Sequence, residues 1–192
     1  MTAPFAPVTL TSDFGTSDHY VAQMKGVLLR LVPGVPIVDV THEIPPQNIR
    51  RAAWMIADLA ATFPPGTIHV AVVDPGVGTS RSILAVAADG QFYIAPDNGL
   101  LSLIFDRSTT TIVLPSMDAD RDAVSSTFHG RDLMIPAAAH LALGRSLAAL
   151  GSALDRPPVL LEDLAPVRYA DRIDAHDCRF DAIGVPDGCE VS

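Results

Sequence analysis

The stretch of residues 70–81 constrains the fold of this chain more than any other feature. It begins with four apolar residues in a row, continues with Asp74, and ends at Arg81 after a turn rich in glycine. An apolar run without alternation is typical of a strand buried on both faces, and the proline and glycines that follow end it sharply. We therefore expect Asp74 at the carboxyl end of a buried strand, the edge where open α/β sheets bind ligands.

Strands and helices alternate through the first part of the chain. Strands are predicted at residues 8–10, 37–40 and 68–73, and apolar residues recur with helical spacing over residues 19–32 and about 47–63. This alternation predicts a parallel sheet that is covered by helices on both faces.

The pattern changes after Arg81. Asp89 and Gly90, a pair typical of a tight hairpin turn, separate two further predicted strands at residues 83–87 and 91–95. The fold class is therefore α/β with a mostly parallel but mixed sheet flanked by helices. The remaining predicted elements are a short helix that ends near Phe105, a strand at residues 110–114, a polar loop at residues 118–126 and a helix at residues 133–143.

The size and composition of the chain favour one main domain. Its 192 residues are 48% hydrophobic, which is enough for a sizeable core. The 22 acidic and 13 basic residues leave a net charge of −9, which argues against a nucleic-acid partner and permits a cationic small molecule. Scattered charges and prolines without periodicity follow Gly151, so we expect an α/β domain at residues 1–151 and a short segment at residues 152–192.

The sequence contains no signal for secretion or for a membrane. The N-terminus lacks a basic stretch followed by an apolar one, and no apolar run is long enough to span a bilayer. Cys178 and Cys189 lie close to the C-terminus and form neither a metal-binding nor a disulfide framework. We therefore expect a cytoplasmic protein.

Polar residues in the predicted loops are candidates for a site, each with a structural alternative. Asp74 and Arg81 could hold a water or a substrate across their turn, or could form an ion pair that stabilises it. His129 and Asp132 could line a pocket or cap the helix that follows. The glycines of the turn do not form a dinucleotide fingerprint, because the third glycine position is Arg81 and a strand, not a helix, is predicted next.

The first strand-to-helix loop contains two more candidates, Asp13 and Asp18. Carboxylates there could take the hydroxyls of a ribose or the amine of a ligand, or could serve as turn and cap residues. Weaker signals of the same kind occur at His42, Glu43, Asp97 and Asn98. Three further histidines are expected to be structural, and since no spacing matches a metal motif we predict no metal: His19, His69 and His140.

Six segments, together with Arg81, form a specific combined pattern. They are TSDFG at residues 11–15, YVAQMKG at 20–26, VDVTHEIP at 38–45, VVDPGVG at 72–78, YIAPDNG at 93–99 and TFHGRD at 127–132. Over residues 8–151 the chain thereby resembles the S-adenosylmethionine hydroxide adenosyltransferase family, adenosine-forming hydrolases related to the fluorinase and the chlorinase. The resemblance implies a catalytic α/β domain that binds S-adenosylmethionine.

The resemblance assigns catalysis to Asp74, Arg81 and His129, which match the Asp-Arg-His triad of the hydroxide branch. The halide enzymes carry a tyrosine where Asp74 stands, a threonine where Val77 stands and a serine where Gly130 stands. These three departures indicate water, not halide, as the nucleophile. In the implied reaction water attacks C5′ in line and yields adenosine and L-methionine, without a cofactor, and either Asp74 or His129 is the base.

The resemblance also implies residues that bind the substrate. Asp13 would bind the ribose hydroxyls, Asp18 the methionine amine, Asn98 would lie near the ribose or adenine, and Phe128 would form a wall of the reacting centre. Val77 and Gly130 would lie beside the nucleophile. The alternatives are a non-catalytic remnant that binds adenosine or S-adenosylmethionine, or an S-adenosylmethionine-dependent halogenase.

Relatives continue into a β-rich second domain and form trimers whose sites are shared between neighbouring subunits. The segment at residues 152–192 does not resemble that domain, which we therefore expect to be missing or divergent. A homotrimer is expected only if other contacts replace those of the second domain. Affinity for the methionine part of the substrate is expected to suffer.

Overall fold

A computed structural model describes residues 5–59, 61–114, 127–162, 164, 168–169 and 172–173 of the chain. The chain divides into two compact units, Met1–Leu161 and Glu162–Ser192. The predicted domain boundary after residue 151 stays a prediction. The polar loop predicted at residues 118–126 and the two cysteines lie outside the described residues.

The first unit is built on one seven-stranded mixed sheet, which confirms the predicted α/β class. Its spatial order is β2-β1-β3-β5-β4-β6-β7. Neighbours among β2, β1, β3 and β5 pair in parallel, whereas β4 pairs antiparallel with β5 and β6, and β7 antiparallel with β6. The strands are β1 (Val8–Ser12), β2 (Ile37–Thr41), β3 (Ile68–Val72), β4 (Ile83–Ala88), β5 (Gln91–Pro96), β6 (Ser108–Val113) and β7 (Ser152–Ala153).

Helices cover both faces of this sheet, as the alternation of elements predicted. The helices are α1 (Tyr20–Leu31), α2 (Ile49–Leu59) and α3 (Ile135–Ala142). Side chains alternate across a strand, so Val70 and Val72 of β3 join Met24 of α1 in one core, while Ala71 joins Ile56 of α2 in another. The central strands of the sheet are therefore buried, and the carboxyl edge of the sheet presents the loops that follow β1, β2 and β3.

The hairpin between β4 and β5 forms as predicted. Asp89 and Gly90 have φ of 50° and 73°, and this left-handed conformation in both central residues matches the twist of the two strands. The short helix predicted to end near Phe105 is a run of turns at residues 100–104, and the 3₁₀-helix Phe105–Arg107 begins where that helix was expected to end. Among the described residues, no helix combines the length and apolar character needed to cross a bilayer.

Two elements differ from the prediction. The helix expected at residues 133–143 begins earlier, as the π-helical turn Gly130–Met134 that continues into α3. No element was predicted beyond Gly151, yet β7 extends the sheet by pairing with β6. The backbone of Gly151 approaches the Val113 carbonyl so closely that a Cβ there would collide with it, and a two-residue strand leaves no periodic signal.

The second unit contains a two-stranded antiparallel pair. Its strands are β8 (Arg168–Tyr169) and β9 (Arg172–Ile173).

Candidate active site

The turn after β3 folds back on itself and places a buried ion pair at the carboxyl edge of the sheet. Within the turn, Val77 N donates to Asp74 O at 3.2 Å and Thr79 N to Gly76 O at 3.1 Å. Arg81 Nε donates to both carboxylate oxygens of Asp74 at 2.7 Å, and Nη2 also donates to Oδ2. The two side chains are only 10% and 5% exposed, so the pair is largely shielded from water.

His129 joins this ion pair from a position 48 residues further along the chain. Arg81 Nη2 lies 2.8 Å from His129 Nδ1. His129 is 4% exposed and directly precedes the π-helical turn. The structure thus brings Asp74, Arg81 and His129 into direct contact around one guanidinium.

The contact with Arg81 determines how His129 is protonated. A guanidinium is a donor only, so Nδ1 must accept, and the proton of the neutral ring resides on Nε2. Burial lowers the pKa of His129, the Arg81 charge lowers it further, and Asp74 and Asp132 oppose the shift. A neutral imidazole with its Nε2–H directed away from Arg81 is the favoured state.

The Nε2 atom of His129 is buried and has no hydrogen-bond partner among the described residues. Buried donors are almost always satisfied in folded proteins, so this N–H marks a place that suits a water or a ligand oxygen. The position adjoins the Asp74–Arg81 pair through the ring itself. An acceptor bound there would meet the Nε2–H donor on the side of the ring that faces away from Arg81.

An aromatic cluster lies beside the histidine. Phe128 packs edge-on against Phe14 and Tyr20, with ring centroids 5.8 and 5.4 Å apart, and the Arg131 guanidinium lies 4.8 Å from its ring centroid. Arg131 also binds both oxygens of Asp132, at 2.6 and 2.9 Å. This arrangement supplies an apolar wall and a second cation, which the sequence analysis did not single out.

The other predicted substrate-binding residues lie in different settings. Asp13 Oδ2 accepts from the backbone N of Gln47 at 2.9 Å, and Asp18 is exposed in the loop before α1. Asn98 donates to Val73 O at 2.9 Å and accepts from Leu100 N at 3.2 Å, so it braces the end of β3. Their roles toward a substrate stay predictions.

Two positions beside the triad are small or apolar. Val77 is half-buried in the turn after β3. Gly130 is buried, and a Cβ at that position would lie 3.3 Å from both methyl groups of Val72 and 3.5 Å from Met24 Sδ. The backbone at His129 therefore approaches β3 more closely than a larger residue at position 130 would permit.

One polar cluster, buried at Ser12 and His42 and open to solvent at Asp39, was weighted too low in the sequence analysis. Ser12 Oγ lies 2.7 Å from His42 Nδ1, and His42 Nε2 lies 3.1 Å from Asp39 Oδ1. The available signal was positional, since Ser12 ends β1 and His42 follows β2, and these strands are parallel neighbours.

The remaining histidines have structural contacts. His69 lies in the core between Thr9 and Gln91, at 2.8 and 2.7 Å, and burial lowers its pKa although the bond to Gln91 opposes this. His140 contacts the Ser146 carbonyl at 3.0 Å, and His19 stacks on Tyr20. Within the described part of the chain, no group of three or more histidine, cysteine or acidic residues could hold a metal ion.

Comparison with known proteins identifies relatives of this chain. A family model described as the SAM hydroxide adenosyltransferase N-terminal domain matches residues 8–151. A protein of Salinispora tropica named (R)-S-adenosyl-L-methionine hydrolase is 43% identical over 156 residues, covering 80% of this chain and 59% of the relative. A fluorinase of Actinoplanes sp. is 32% identical over 178 residues, covering 77% and 58%.

A solved structure supports the fold. The crystal structure of a conserved protein from Thermotoga maritima superimposes with a TM-score of 0.77 at 34% identity, covering 84% of this chain and 63% of that one. The chain thus spans about three fifths of the length of each of these three proteins.

Proposed function

Because the chain belongs to the SAM hydroxide adenosyltransferase family, we propose that it hydrolyses S-adenosyl-L-methionine to adenosine and L-methionine. The observation that carries the proposal is the contact of Asp74, Arg81 and His129 at the carboxyl edge of the sheet. A carboxylate, a guanidinium and a neutral imidazole together can orient a water and favour negative charge on its oxygen.

The proposed reaction is an in-line displacement at C5′. The water oxygen forms a bond to C5′ while the bond from C5′ to the sulfonium sulfur breaks, and its electron pair stays on sulfur. Methionine leaves as a neutral thioether, and one water proton passes to a base. Because an anionic nucleophile and a cationic centre neutralise each other, a site shielded from water assists this step, and the Phe128 cluster supplies such shielding.

Protonation of His129 bears on the choice of base. With Nδ1 accepting from Arg81 and the proton on Nε2, the neutral imidazole has no lone pair free to act as the base. Asp74 Oδ2 accepts twice from Arg81, whereas Oδ1 accepts once and keeps a second lone pair. We assign the base to Asp74 and the stabilisation of hydroxide-like charge to Arg81, whose guanidinium is held by Nδ1 of His129.

Four residues are proposed to bind the substrate. Asp13 takes the ribose hydroxyls, Asp18 the methionine amine, and Phe128 walls the reacting centre. Asn98 uses one N–H and one lone pair for the backbone, which leaves the other N–H for the ribose or adenine.

Water is favoured over halide as the nucleophile. The fluorinase is less similar to this chain than the hydrolase is, 32% against 43% identical. A serine at position 130, as in the halide enzymes, would also crowd the two methyl groups of Val72.

The test is to incubate the protein with S-adenosyl-L-methionine in water labelled with heavy oxygen and to separate the products by chromatography with mass detection. We expect adenosine and methionine in equal amounts, with the label in adenosine alone. Fluoride or chloride should give no halogenated adenosine.

In the Arg81→Lys variant, the single ammonium cannot bind Asp74 and His129 in the same fork, and kcat should fall about a hundredfold. Wild-type protein that forms no adenosine would refute the proposal.

A further inference from the structure

A chain of four side chains links the ends of β1 and β2 to helix α1. Ser12 contacts His42, His42 contacts Asp39, and Lys25 of α1 pairs with the second oxygen of Asp39. Ser12 and His42 are 1% and 5% exposed, whereas Asp39 and Lys25 reach the surface. The chain therefore runs from the buried edge of the sheet out to solvent.

Hydrogen bonds occupy both nitrogens of His42. Burial would raise the pKa of Asp39, but hydrogen bonds from Lys25 and His42 outweigh burial and lower it. The anionic carboxylate accepts only, so His42 Nε2 carries a proton. Ser12 Oγ accepts from Phe14 N at 3.4 Å and has both a proton and a second lone pair for its contact with His42 Nδ1. The ring of His42 is thus held at both nitrogens.

The same two loops are also joined through their backbones. Gly15 N donates to His42 O at 2.7 Å, and Ile44 N donates to Ser12 O at 3.3 Å. Asp13 lies between Ser12 and Gly15, and its Oδ2 accepts from Gln47 N at 2.9 Å. The position of Asp13 is therefore fixed by contacts that converge on His42 from both sides.

From this geometry we propose that His42 is a positioning residue, which fixes the Asp13 carboxylate for a vicinal diol by holding the loop after β1 against the loop after β2. The inference rests on the proposed function, in which Asp13 binds the ribose hydroxyls. A diol bound to a carboxylate needs both oxygens in one orientation, and that orientation depends on the neighbouring backbone. Without the imidazole, the buried hydroxyl of Ser12 loses its hydrogen-bond partner and the loops lose their side-chain link.

The test compares adenosine with 2′,3′-dideoxyadenosine, which lacks the diol, by calorimetry. In His42→Ala we expect adenosine to bind about tenfold more weakly while dideoxyadenosine binds as it does to the wild type. In an Asp13→Ala background, His42→Ala should cause little further loss of adenosine affinity, since the two residues act through one contact. His140→Ala, which removes a histidine away from this chain of contacts, is the matched control and should bind both nucleosides normally.

The outcomes separate the inference from the proposed function. An equal loss for both nucleosides in His42→Ala, or no loss for adenosine, would overturn the positioning role while the wild-type activity stands. Wild-type protein that binds neither nucleoside would overturn both. Should His42→Ala fail to fold, Ser12→Ala breaks the same link from its other end and should show the same selective loss.

Discussion

Arg81 is the residue that joins the other two members of the proposed active site, Asp74 and His129. Its guanidinium reaches the carboxylate of Asp74 and the ring of His129 at once, with three nitrogen atoms held in one plane. Such a planar fork imposes an orientation on both partners, which a flexible ammonium cannot do. The cation also lowers the pKa of His129 beyond the effect of burial, and so favours the neutral ring that the proposed chemistry needs.

Stability should decrease as pH falls through the titration of unfolded histidine. The pKa values of His129 and His69 are both lowered from 6.5 in the folded protein. Below about pH 6.5 the unfolded chain therefore takes up protons that the folded chain does not, and the free energy of unfolding falls until the folded pKa is reached. Urea unfolding at a series of pH values should show this loss, and His129→Gln should show less of it. An unchanged pH dependence in that variant would contradict the prediction.

At the scale of elements, the turn after β3 and the π-helical turn before α3 must approach each other for the triad to form. Gly130 permits that approach, because it packs directly against Val72 of β3. Residues 128 and 129 directly precede the π-helical turn Gly130–Met134, which continues into the regular helix α3. Single-turn π-helices of this kind are frequent at functional sites.

Gly130→Ala should be destabilising by about 1 to 3 kcal/mol, because the new methyl group would crowd Val72 and Met24. Gly26→Ala is the matched control. Gly26 lies within α1, and a Cβ there would meet nothing within 4 Å, so this variant should gain about 0.5 to 1 kcal/mol. Denaturant unfolding measures both. Adding Val72→Ala to Gly130→Ala should recover part of the lost free energy of unfolding. A Gly130→Ala variant as stable as wild type would show that β3 moves to make room for the new methyl group.

At the scale of the first unit, the segment after Gly151 is attached to the sheet that carries the site. Leu154 N donates to Thr111 O at 3.1 Å, and Val159 N donates to Asp97 Oδ1 at 2.9 Å. Arg156 pairs with the second oxygen of Asp97 at 2.5 Å. Asp97 follows β5 at the carboxyl edge, so this segment shares that edge with the triad.

Arg156→Ala should lower the free energy of unfolding by about 1 to 2 kcal/mol. The side chain of Asp97 is 1% exposed, and loss of its partner leaves a buried charge uncompensated. The expected loss is smaller than for a fully buried ion pair, because Arg156 itself is 44% exposed and solvent screens its charge. The double variant Arg156→Ala with Asp97→Asn should be more stable than Arg156→Ala alone, because it removes the unpaired charge. Equal stability of the two variants in urea would contradict this account.

The parts of the fold that depend on neighbours in the chain could be predicted from the amino-acid pattern. Uninterrupted apolar runs marked β3 as buried on both faces, helical spacing marked α1 and α2, and Asp89 with Gly90 marked the hairpin. These signals are local, since periodicity and turn chemistry act over a few residues. Asp74 and Arg81 were candidates for the same reason, because one short turn joins them.

Contacts between side chains that are distant in the chain could not be predicted in this way. The residues alone left His129 open as a helix cap or a pocket residue, and a resemblance assigned it to the triad; its contact with Arg81 requires the loop after β3 to meet the start of α3. The link from Ser12 to His42 depends on β1 and β2 being neighbours, and β7 depends on the exposed edge of β6. Such contacts join residues that the order of strands brings together, and no local pattern encodes them.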